Sequence, residues 1–597
     1  MKFPSLLAIA SGISALALSP AATPAWDVFS DTWAATDGLG RTLPLAAETG
    51  PPRADRTVAL FYFLWSGRHG EAGPFDISRI LAADPAARND PAHPAWGPLG
   101  VPHHWGESIF SYYVADDDHV LRKHAQMLGD AGVDVIVFDV TNQFTYPESW
   151  RALGRVFTEV RAAGNRTPQF AFLCPFGDPA KVVRELYHEL YQPGLFRDLW
   201  FLWDGKPLIL ADPERLGKPT ASGTAPEPDP VPGFFTFRKP QPDYFQGPTG
   251  PNQWGWLEVT PQHAFHDAAG KPEQATVGVA QNALDGKLSA LSNPRSHGRS
   301  FRAGREPGPD GYSPAGLNFA EQWQRARELD PRVLFITGWN EWIAGRFDES
   351  SPFHGDGPVT FVDQFNQEFS RDIEPMRGGH GDAYFYQMID GIRRYKGTRP
   401  LPPVTSAAIQ LDGSFDDWRA VTPEFRDTIG DPVKRDYRGW GKGTRHVETS
   451  GRHDLVAAKV SATSDTLYFH VRATDDLGGP AQERWLWLFL DTDGDSTNGW
   501  LGFDYLIGRA SADGRRSLEK SAGTGFGWTA AGEVPFACHG RELECGIPRA
   551  ALGLPPGPVT LRFKWADHLD GTGEWSDFTL HGDAAPNDRF TYQAVIP

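Results

Sequence analysis

Cysteine and methionine are scarce in this chain, with three and four copies in 597 residues. So few thiols exclude a disulfide-built scaffold and argue against a thiolate metal site. Cys538 and Cys545 flank a short polar segment and could close one small disulfide loop, leaving Cys174 over; the other reading is three buried thiols. Positive charge is also in short supply. Lys and Arg number 57 against 75 Asp and Glu, a net charge of -18, which argues against nucleic acid and anionic membranes as partners. It also disfavours a strongly anionic polysaccharide, unless a local Arg cluster overrules it. Only one long apolar run exists, Leu6 to Leu18, preceded by Lys2 and followed by Ala21-Ala-Thr-Pro-Ala25. It reads as a secretory signal cut near Ala25, so residues 1–25 are expected to be absent from the mature, exported protein. No later stretch approaches the ~20 residues of a membrane span, and no lipobox cysteine suggests anchoring. A Gly-x-Ser-x-Gly elbow, a phosphate loop and a His-Glu-x-x-His pair are all missing. Serine hydrolase, nucleotide enzyme and zincin chemistries therefore lack support.

Glycine (64), proline (51) and tryptophan (21) are plentiful, which implies many loops and indole surfaces beyond the core. After a lead-in over residues 26–56, strands alternate with helices. Strand-like runs fall at Val58–Trp65, Val133–Val140, Gln169–Phe176, Pro207–Asp212, Phe234–Phe237, Trp254–Val259, Thr276–Gln281 and Val333–Trp339. Helical patterns include Asp118–Ala131, Pro147–Ala163, Ala180–Tyr191, Ala320–Leu329 and Tyr384–Tyr395. Eight strands with interposed helices predict an α/β fold, a (β/α)₈ TIM barrel over residues 57–396. A doubly wound sheet is the alternative, but no Gly-rich phosphate loop follows the first strand. A Pro-rich linker, 397–405, leads into short alternating strands over 406–597, the pattern of an all-β sandwich.

Long insertions at 66–117, 213–233 and 282–318 should wall a cleft on the catalytic face. The first holds His103, His104, Trp105 and Glu107, read either as substrate contacts or as loop packing. Asp116-Asp-Asp118 precedes a helix and reads as its N-cap rather than a metal cluster.

Three predicted strand ends carry acids. Asp139 closes Val135-Ile-Val-Phe-Asp-Val-Thr-Asn142, Glu258 closes Trp254-Gly-Trp-Leu-Glu258, and Glu341 closes Val333-Leu-Phe-Ile-Thr-Gly-Trp-Asn-Glu-Trp342. In a barrel these ends face one mouth, where two carboxyl groups can flank a glycosidic bond. Glu341, between Trp339 and Trp342, suits the acid, because indoles raise a carboxyl pKa by desolvation. Glu258 or Asp139 is its partner. The bland readings are a Glu341 paired with a nearby Arg, core Trp339 and Trp342, and a salt-bridged Asp139. Trp65, His104, Trp105, Glu107, Asn142, Trp256, Gln262, Trp339, Asn340 and Trp342 are the candidate substrate contacts. In the second domain Asp491, Asp493 and Asp495 keep the rhythm of a calcium loop, but Ser496 and Gly502 stand where an EF-hand needs Gly and a bidentate Glu. A noncanonical calcium site and a polar turn both remain open there.

Phe61-Tyr-Phe-Leu-Trp65, Ala131-Gly-Val-Asp-Val-Ile-Val-Phe-Asp139 and Gly338-Trp-Asn-Glu-Trp342 resemble glycoside hydrolases of families 71 and 99 and the related WbsX-like proteins, over about residues 55–396. The family 99 pair of closely spaced Glu residues has no counterpart here. Ile409-Gln-Leu-Asp-Gly-Ser-Phe-Asp-Asp-Trp418, Leu467-Tyr-Phe-His-Val-Arg472, Leu488-Phe-Leu-Asp-Thr-Asp493 and Gly502-Phe-Asp-Tyr505 resemble family 9 carbohydrate-binding modules. That second resemblance implies sugar binding through exposed aromatics such as Trp485, Trp487 or Trp500. The combined expectation is a secreted or periplasmic, monomeric glycoside hydrolase acting on a polysaccharide or oligosaccharide, with no cofactor required. The competing expectations are a non-catalytic glycan-binding protein and a polysaccharide lyase using His or Tyr as base.

Overall fold

The computed structural model describes residues 26–70, 72–217, 229–305, 314–347, 357–512, 514–523 and 525–597. The expected signal segment lies outside them, as do parts of the expected insertions. Eight parallel strands follow in chain order: β1 (Thr57–Tyr62), β2 (Val135–Asp139), β3 (Gln169–Leu173), β4 (Lys206–Leu210), β5 (Thr236–Gln241), β6 (Gln253–Gly255), β7 (Pro272–Gly278) and β8 (Val333–Thr337). They pair side by side in the order β6-β5-β4-β3-β2-β1-β8-β7. Side chains alternate across the sheet, as strand geometry requires. Ala59, Phe61, Val135, Val137, Ala171, Leu173, Leu208, Leu210, Val333 and Phe335 fill the inside. Leu60, Ile136, Phe138, Phe172, Ile209 and Ile336 face the helices.

The barrel closes without a strand ladder at its last seam. The Gln274 side chain substitutes for one, accepting from Gly255 N at 2.9 Å and donating to Gly255 O at 3.0 Å. Below it, Arg238 is paired with Glu273 at 2.5 Å, and Trp254 donates to the same carboxylate at 2.6 Å. That buried ion pair fills the inside where apolar side chains run out.

Helices α1 (Asp118–Ala131), α2 (Pro147–Ala162), α3 (Ala180–Leu186), α4 (Leu317–Leu329) and α5 (Ala383–Lys396) pack outside. Asp117 caps α1, accepting from His119 N at 3.1 Å and Val120 N at 3.4 Å, so the Asp116–Asp118 run is a helix start. Gly132 ends α1 at φ 84°, a conformation that an L side chain resists, and the chain turns straight into β2. The expected helix Ala180–Tyr191 stops at Leu186 and finishes as a π turn, Tyr187–Tyr191.

Beyond the barrel lies an antiparallel sheet of β9 (Leu455–Ala462), β10 (Thr466–Ala473), β11 (Trp487–Asp491), β12 (Tyr505–Ala512), β13 (Arg515–Ser521), β14 (Trp528–His539), β15 (Glu542–Pro548), β16 (Val559–Asp567), β17 (Asp583–Ala585) and β18 (Tyr592–Ile596). Its order is β9-β10-β15-β14-β13-β12-β11-β16-β17, with β18 on β16. The sheet folds over on itself, so that Phe469 of β10 meets Phe563 of β16 at 5.7 Å. Trp485, Trp487 and Trp500, expected as sugar platforms, are all buried in this core. Cys538 and Cys545 are free thiols: Cys545 is paired in register with Phe536, and Cys538 with Leu543, so of the two readings it is separate thiols that the structure shows, two buried and Cys538 half-buried.

The two parts share a polar seam. Arg435 grips Asp117 at 2.7 Å, Arg589 grips Asp382 at 2.6 Å, and Asn165 exchanges two hydrogen bonds with Ile429 at 2.8 and 3.0 Å. Thr591 pairs with Ala34 of the lead-in, and the expected linker is tied down through Arg399 on Asp27 and Asp31. Among the described residues no helix is long and apolar enough to cross a membrane.

Candidate active site

The polypeptide leaving β8 stays attached to the end of β1. Trp339 N donates to Phe61 O at 3.0 Å. The Asn340 amide accepts from Phe63 N at 2.9 Å and donates to Phe63 O at 3.2 Å, extending the strand pairing with a side chain. Asn340 is therefore a staple. The next residue, Glu341, is turned inward and only 4 % exposed. Its Oε2 accepts from Gln364 Nε2 at 2.7 Å and from the Arg371 guanidinium at 2.8 Å. Arg371 also donates to Asn282 Oδ1 at 3.1 Å, an atom that Tyr244 OH reaches at 3.0 Å, and lies 3.9 Å from Asp363 Oδ1.

Asp139, at the end of β2, belongs to the same electrostatic group: Arg371 and Asp363 both act on it. Its Oδ1 accepts from Thr141 N at 2.9 Å and Thr141 Oγ1 at 2.7 Å. Aromatic rings follow one another from the end of β1. Trp65 lies 6.1 Å from Phe63, Phe63 4.9 Å from Phe61, and Phe61 5.5 Å from Trp256, which Phe176 continues at 6.2 Å. The indole N–H groups of Trp65 and Trp256 are buried without an acceptor, as is that of Trp339. Beside Asp139, Asn142 donates to Tyr146 OH, which is also 2.7 Å from His69 Nε2.

The carboxyl groups respond to enclosure. Burial pushes Glu341 well above the usual carboxylate range; Arg371 opposes this, while Asp363 and Asp372 add to it. Desolvation raises Asp363 against the pull of Arg371, although its side chain is 38 % exposed. Desolvation likewise raises Asp139; the Thr141 hydrogen bonds oppose it and Asp363 adds to it. All three acids are thus raised by burial, and Arg371 is the cation that opposes the rise in each.

Several expected contacts lie elsewhere. Trp339 is 0 % and Trp342 4 % exposed, because this segment folds against the barrel's outer wall after the staple. Trp339 packs on His124 at 5.5 Å, and Trp342 stacks on the buried Trp105 at 5.0 Å. Trp342 donates to Glu374 at 2.5 Å and Trp105 to Asp372 at 2.6 Å, so all three indoles are structural. His104 is buried between Tyr112 and Trp440, 4.7 and 4.9 Å away, and that burial lowers its pKa to about 3. Glu107 holds Arg79 and Arg377. Gln262 ties β7 to α4, donating to Thr276 O at 3.0 Å and Gln322 O at 2.9 Å. Glu258, expected as a partner of Glu341, is fully buried against His263 at 2.7 Å and Thr276 at 3.3 Å. No charge of the Arg371 group is among those acting on it, which makes it an anchor of the β6–β7 turn.

The residues missed from sequence, Asp363, Gln364, Arg371, Asp372 and Glu374, come from the irregular segment between β8 and α5. Its only advance signal is an acidic, aromatic composition. Glu374 is fully buried and accepts from Ser108 at 2.8 Å, Tyr113 at 2.8 Å, His124 at 3.1 Å and Trp342. Of the expected calcium set, Asp491 and Asp493 come together, but with Asp504 as the third carboxylate. Asp495 turns away to bind Thr497 N at 2.9 Å. A separate concavity of about 290 Å³, lined by Phe75, Asp76, Arg79, His93 and Tyr112, shares no residue with the barrel mouth.

Among solved structures, the GH99 endo-alpha-mannosidase from Bacteroides thetaiotaomicron is 15 % identical over 58 % of this chain and 99 % of its own, with a TM-score of 0.33. The same enzyme in complex with BIS-TRIS-propane is 14 % identical over 58 % of this chain and 98 % of its own, with a TM-score of 0.32. A scan of protein-family models and a search of curated proteins give no match.

Proposed function

We propose that this chain is an exported glycoside hydrolase that cleaves a polysaccharide or oligosaccharide at the open end of its barrel. One observation carries the reading: Glu341 is bonded to the Arg371 guanidinium, Asp363 lies 3.9 Å from it, and Asp139 feels the charge of both Arg371 and Asp363, while the half-buried Trp65 and Trp256 pack on the inner core of the same barrel. Cleavage of a glycosidic bond needs one carboxyl group that still holds its proton and another that does not. A group of three acids around one cation supplies both at the same pH. Glu341, which burial raises furthest, gives its proton to the glycosidic oxygen as the bond to the anomeric carbon breaks. Asp139, whose Thr141 hydrogen bonds favour its charged form against the desolvation that raises it, meets the anomeric carbon or takes the proton of the water that does. Asp363 opposes the ionisation of Glu341 and keeps the proton there.

The test is product analysis by mass spectrometry over a panel of polysaccharides, with Glu341→Gln, Asp139→Asn and Asp363→Asn beside the wild type. Glu341→Gln should fold normally and lose cleavage of natural glycosides, yet keep activity on aryl glycosides whose leaving group needs no proton. Asp139→Asn should lose both. Full turnover of a polysaccharide by Glu341→Gln removes that residue from the mechanism.

A second reading has its own support, because Glu341 Oε2 is already occupied by Gln364 and Arg371. A carboxyl group held this way suits a barrel that binds glycans without cleaving them. Saturable glycan binding by the wild type, with no product from any glycan that binds, would favour it.

A further inference from the structure

Asp427 and Asp431 are 0 % and 1 % exposed, and none of their four carboxylate oxygens has a hydrogen-bond partner. Buried polar atoms are nearly always paired, so four orphans on two adjacent acids need an explanation. Asp583, 4 % exposed at the start of β17, completes the group: one oxygen from each of the three lies within 4.8 Å of the others. Asp583 is held in place by Leu455 N at 2.6 Å and Ala584 N at 2.8 Å, which leaves each oxygen a further lone pair.

The surroundings add negative charge. Asp130, Asp454 and Asp588 act on these three, so six carboxyl groups face two ammonium groups, Lys123 and Lys564. Asp588 Oδ2 is a further buried oxygen without a partner. Uncompensated buried charge on this scale is strongly disfavoured.

We propose that Asp427, Asp431 and Asp583 bind a hard divalent cation, calcium, at the seam between barrel and sandwich. All-carboxylate donors select a hard ion over zinc or copper. Oxygens that all lie within 4.8 Å of one another can share one cation, and calcium, with its ~2.3–2.6 Å bonds and flexible geometry, tolerates an irregular carboxylate set that the near-ideal octahedron of magnesium does not. Position gives the ion a purpose. Asn587 Nδ2 links Asp130, at the end of α1, to Thr428 at 3.2 and 3.0 Å, and Ile429 is hydrogen-bonded to Asn165 of the barrel. The loop that carries Asp427 and Asp431 is thus the loop that docks on the barrel. A cation there neutralises the seam and fixes the two parts together.

The experiment uses the full chain, stripped with EDTA and dialysed into metal-free buffer, then titrated with CaCl₂ while heat and Tm are followed. Asp491, Asp493 and Asp504 form the other acidic group among the described residues, so the background is Asp493→Asn/Asp504→Asn, on the opposite loop. In that background one calcium should still bind, with Tm rising as free calcium rises. Adding Asp427→Asn and Asp431→Asn should abolish both the heat and the Tm response. The proposal is overturned if the background variant takes up no calcium, or if calcium still binds after both substitutions. Should the fourfold variant fail to fold, the background titration decides alone.

Discussion

Replacing Arg371 by methionine keeps most of the side-chain volume and removes the one positive charge among Glu341, Asp363 and Asp139. Arg371 and Glu341 are 3 % and 5 % exposed at the side chain and meet at 2.8 Å. Where Glu341 is ionised, breaking a buried pair of this kind costs about 3–5 kcal/mol, mostly from the charge left behind. For a barrel of this size, with an unfolding entropy of roughly 2.1 cal/mol/K per residue, that is about 4–7 °C in Tm. The penalty depends on pH, and its sign is fixed. Glu341 is raised in the folded state by burial, while its unfolded pKa is about 4.3. Between those values the folded chain binds more protons than the unfolded one. Stability of Arg371→Met should therefore fall as pH rises, by up to ~1.4 kcal/mol per unit, and the loss should vanish below about pH 4.3. Calorimetry at pH 5, 6.5 and 8 measures this, with Glu341→Gln/Arg371→Met as the control. The double variant should recover most of the lost Tm. A single variant within about 1 °C of wild type at pH 8, or a double variant no better than the single, would refute the buried charge group on which the catalytic reading rests.

Glu374→Ala should cost several kcal/mol, as Ser108, Tyr113, His124 and Trp342 lose their common acceptor; a lower Tm with broadened near-ultraviolet circular dichroism checks it. Trp339→Ala should destabilise by about 3–5 kcal/mol through the cavity it leaves, whereas Trp256→Ala should weaken sugar binding far more than it lowers Tm. Burial holds His104 at about 3, so the unfolded chain binds the extra proton between there and about 6.5, and acid destabilises the fold across that window. His104→Phe should flatten the acid limb of the Tm–pH curve between pH 6 and 4.

How much of this was visible in the sequence follows from which contacts are local. Strands such as Val135–Asp139, Gln169–Leu173 and Val333–Thr337 were legible because each holds an apolar run that only a buried parallel sheet satisfies, whereas Thr236–Gln241, Gln253–Gly255 and Pro272–Gly278 are polar or short and the expected runs Phe234–Phe237, Trp254–Val259 and Thr276–Gln281 overlap them only in part. Asp139 and Glu341 were legible as acids at strand ends. The direction in which a side chain leaves a strand end was not. Glu258 was read as a strand end like Asp139, yet it lies three residues beyond β6 and is bonded to a His five residues later. The indoles around Glu341 misled for a related reason: aromatic content marks a wet platform and a dry core equally well, and only the distant acceptors Asp372 and Glu374 decide between them. The seam acids Asp427 and Asp583 are far apart in the chain and carry no spacing signal at all.

The segment from Asp363 to Glu374 explains why one half of the site stayed hidden. It has no regular structure, yet its residues divide cleanly by direction. Asp363 and Arg371 face the mouth, while Asp372 and Glu374 point back into the wall and bind the indoles of Trp105 and Trp342. Asp372 also receives the backbone N–H of Glu341 at 2.5 Å, so the peptide carrying one acid is positioned by the segment carrying another. The alignment of the acids therefore depends on two buried carboxylates that never meet a substrate. A change at Asp372 should act on cleavage through the placement of Glu341, which burial alone already makes the most strained group of the three to ionise. Asp372→Asn keeps the shape and an acceptor for Glu341 N, but withdraws a negative charge that raises the Glu341 pKa. The alkaline limit of the pH–activity profile, which loss of the Glu341 proton sets, should then move to lower pH, and Tm should fall because one amide oxygen cannot also accept from the Trp105 indole. A loss of activity at every pH with no shift of that limit would mean that Asp372 acts by packing alone.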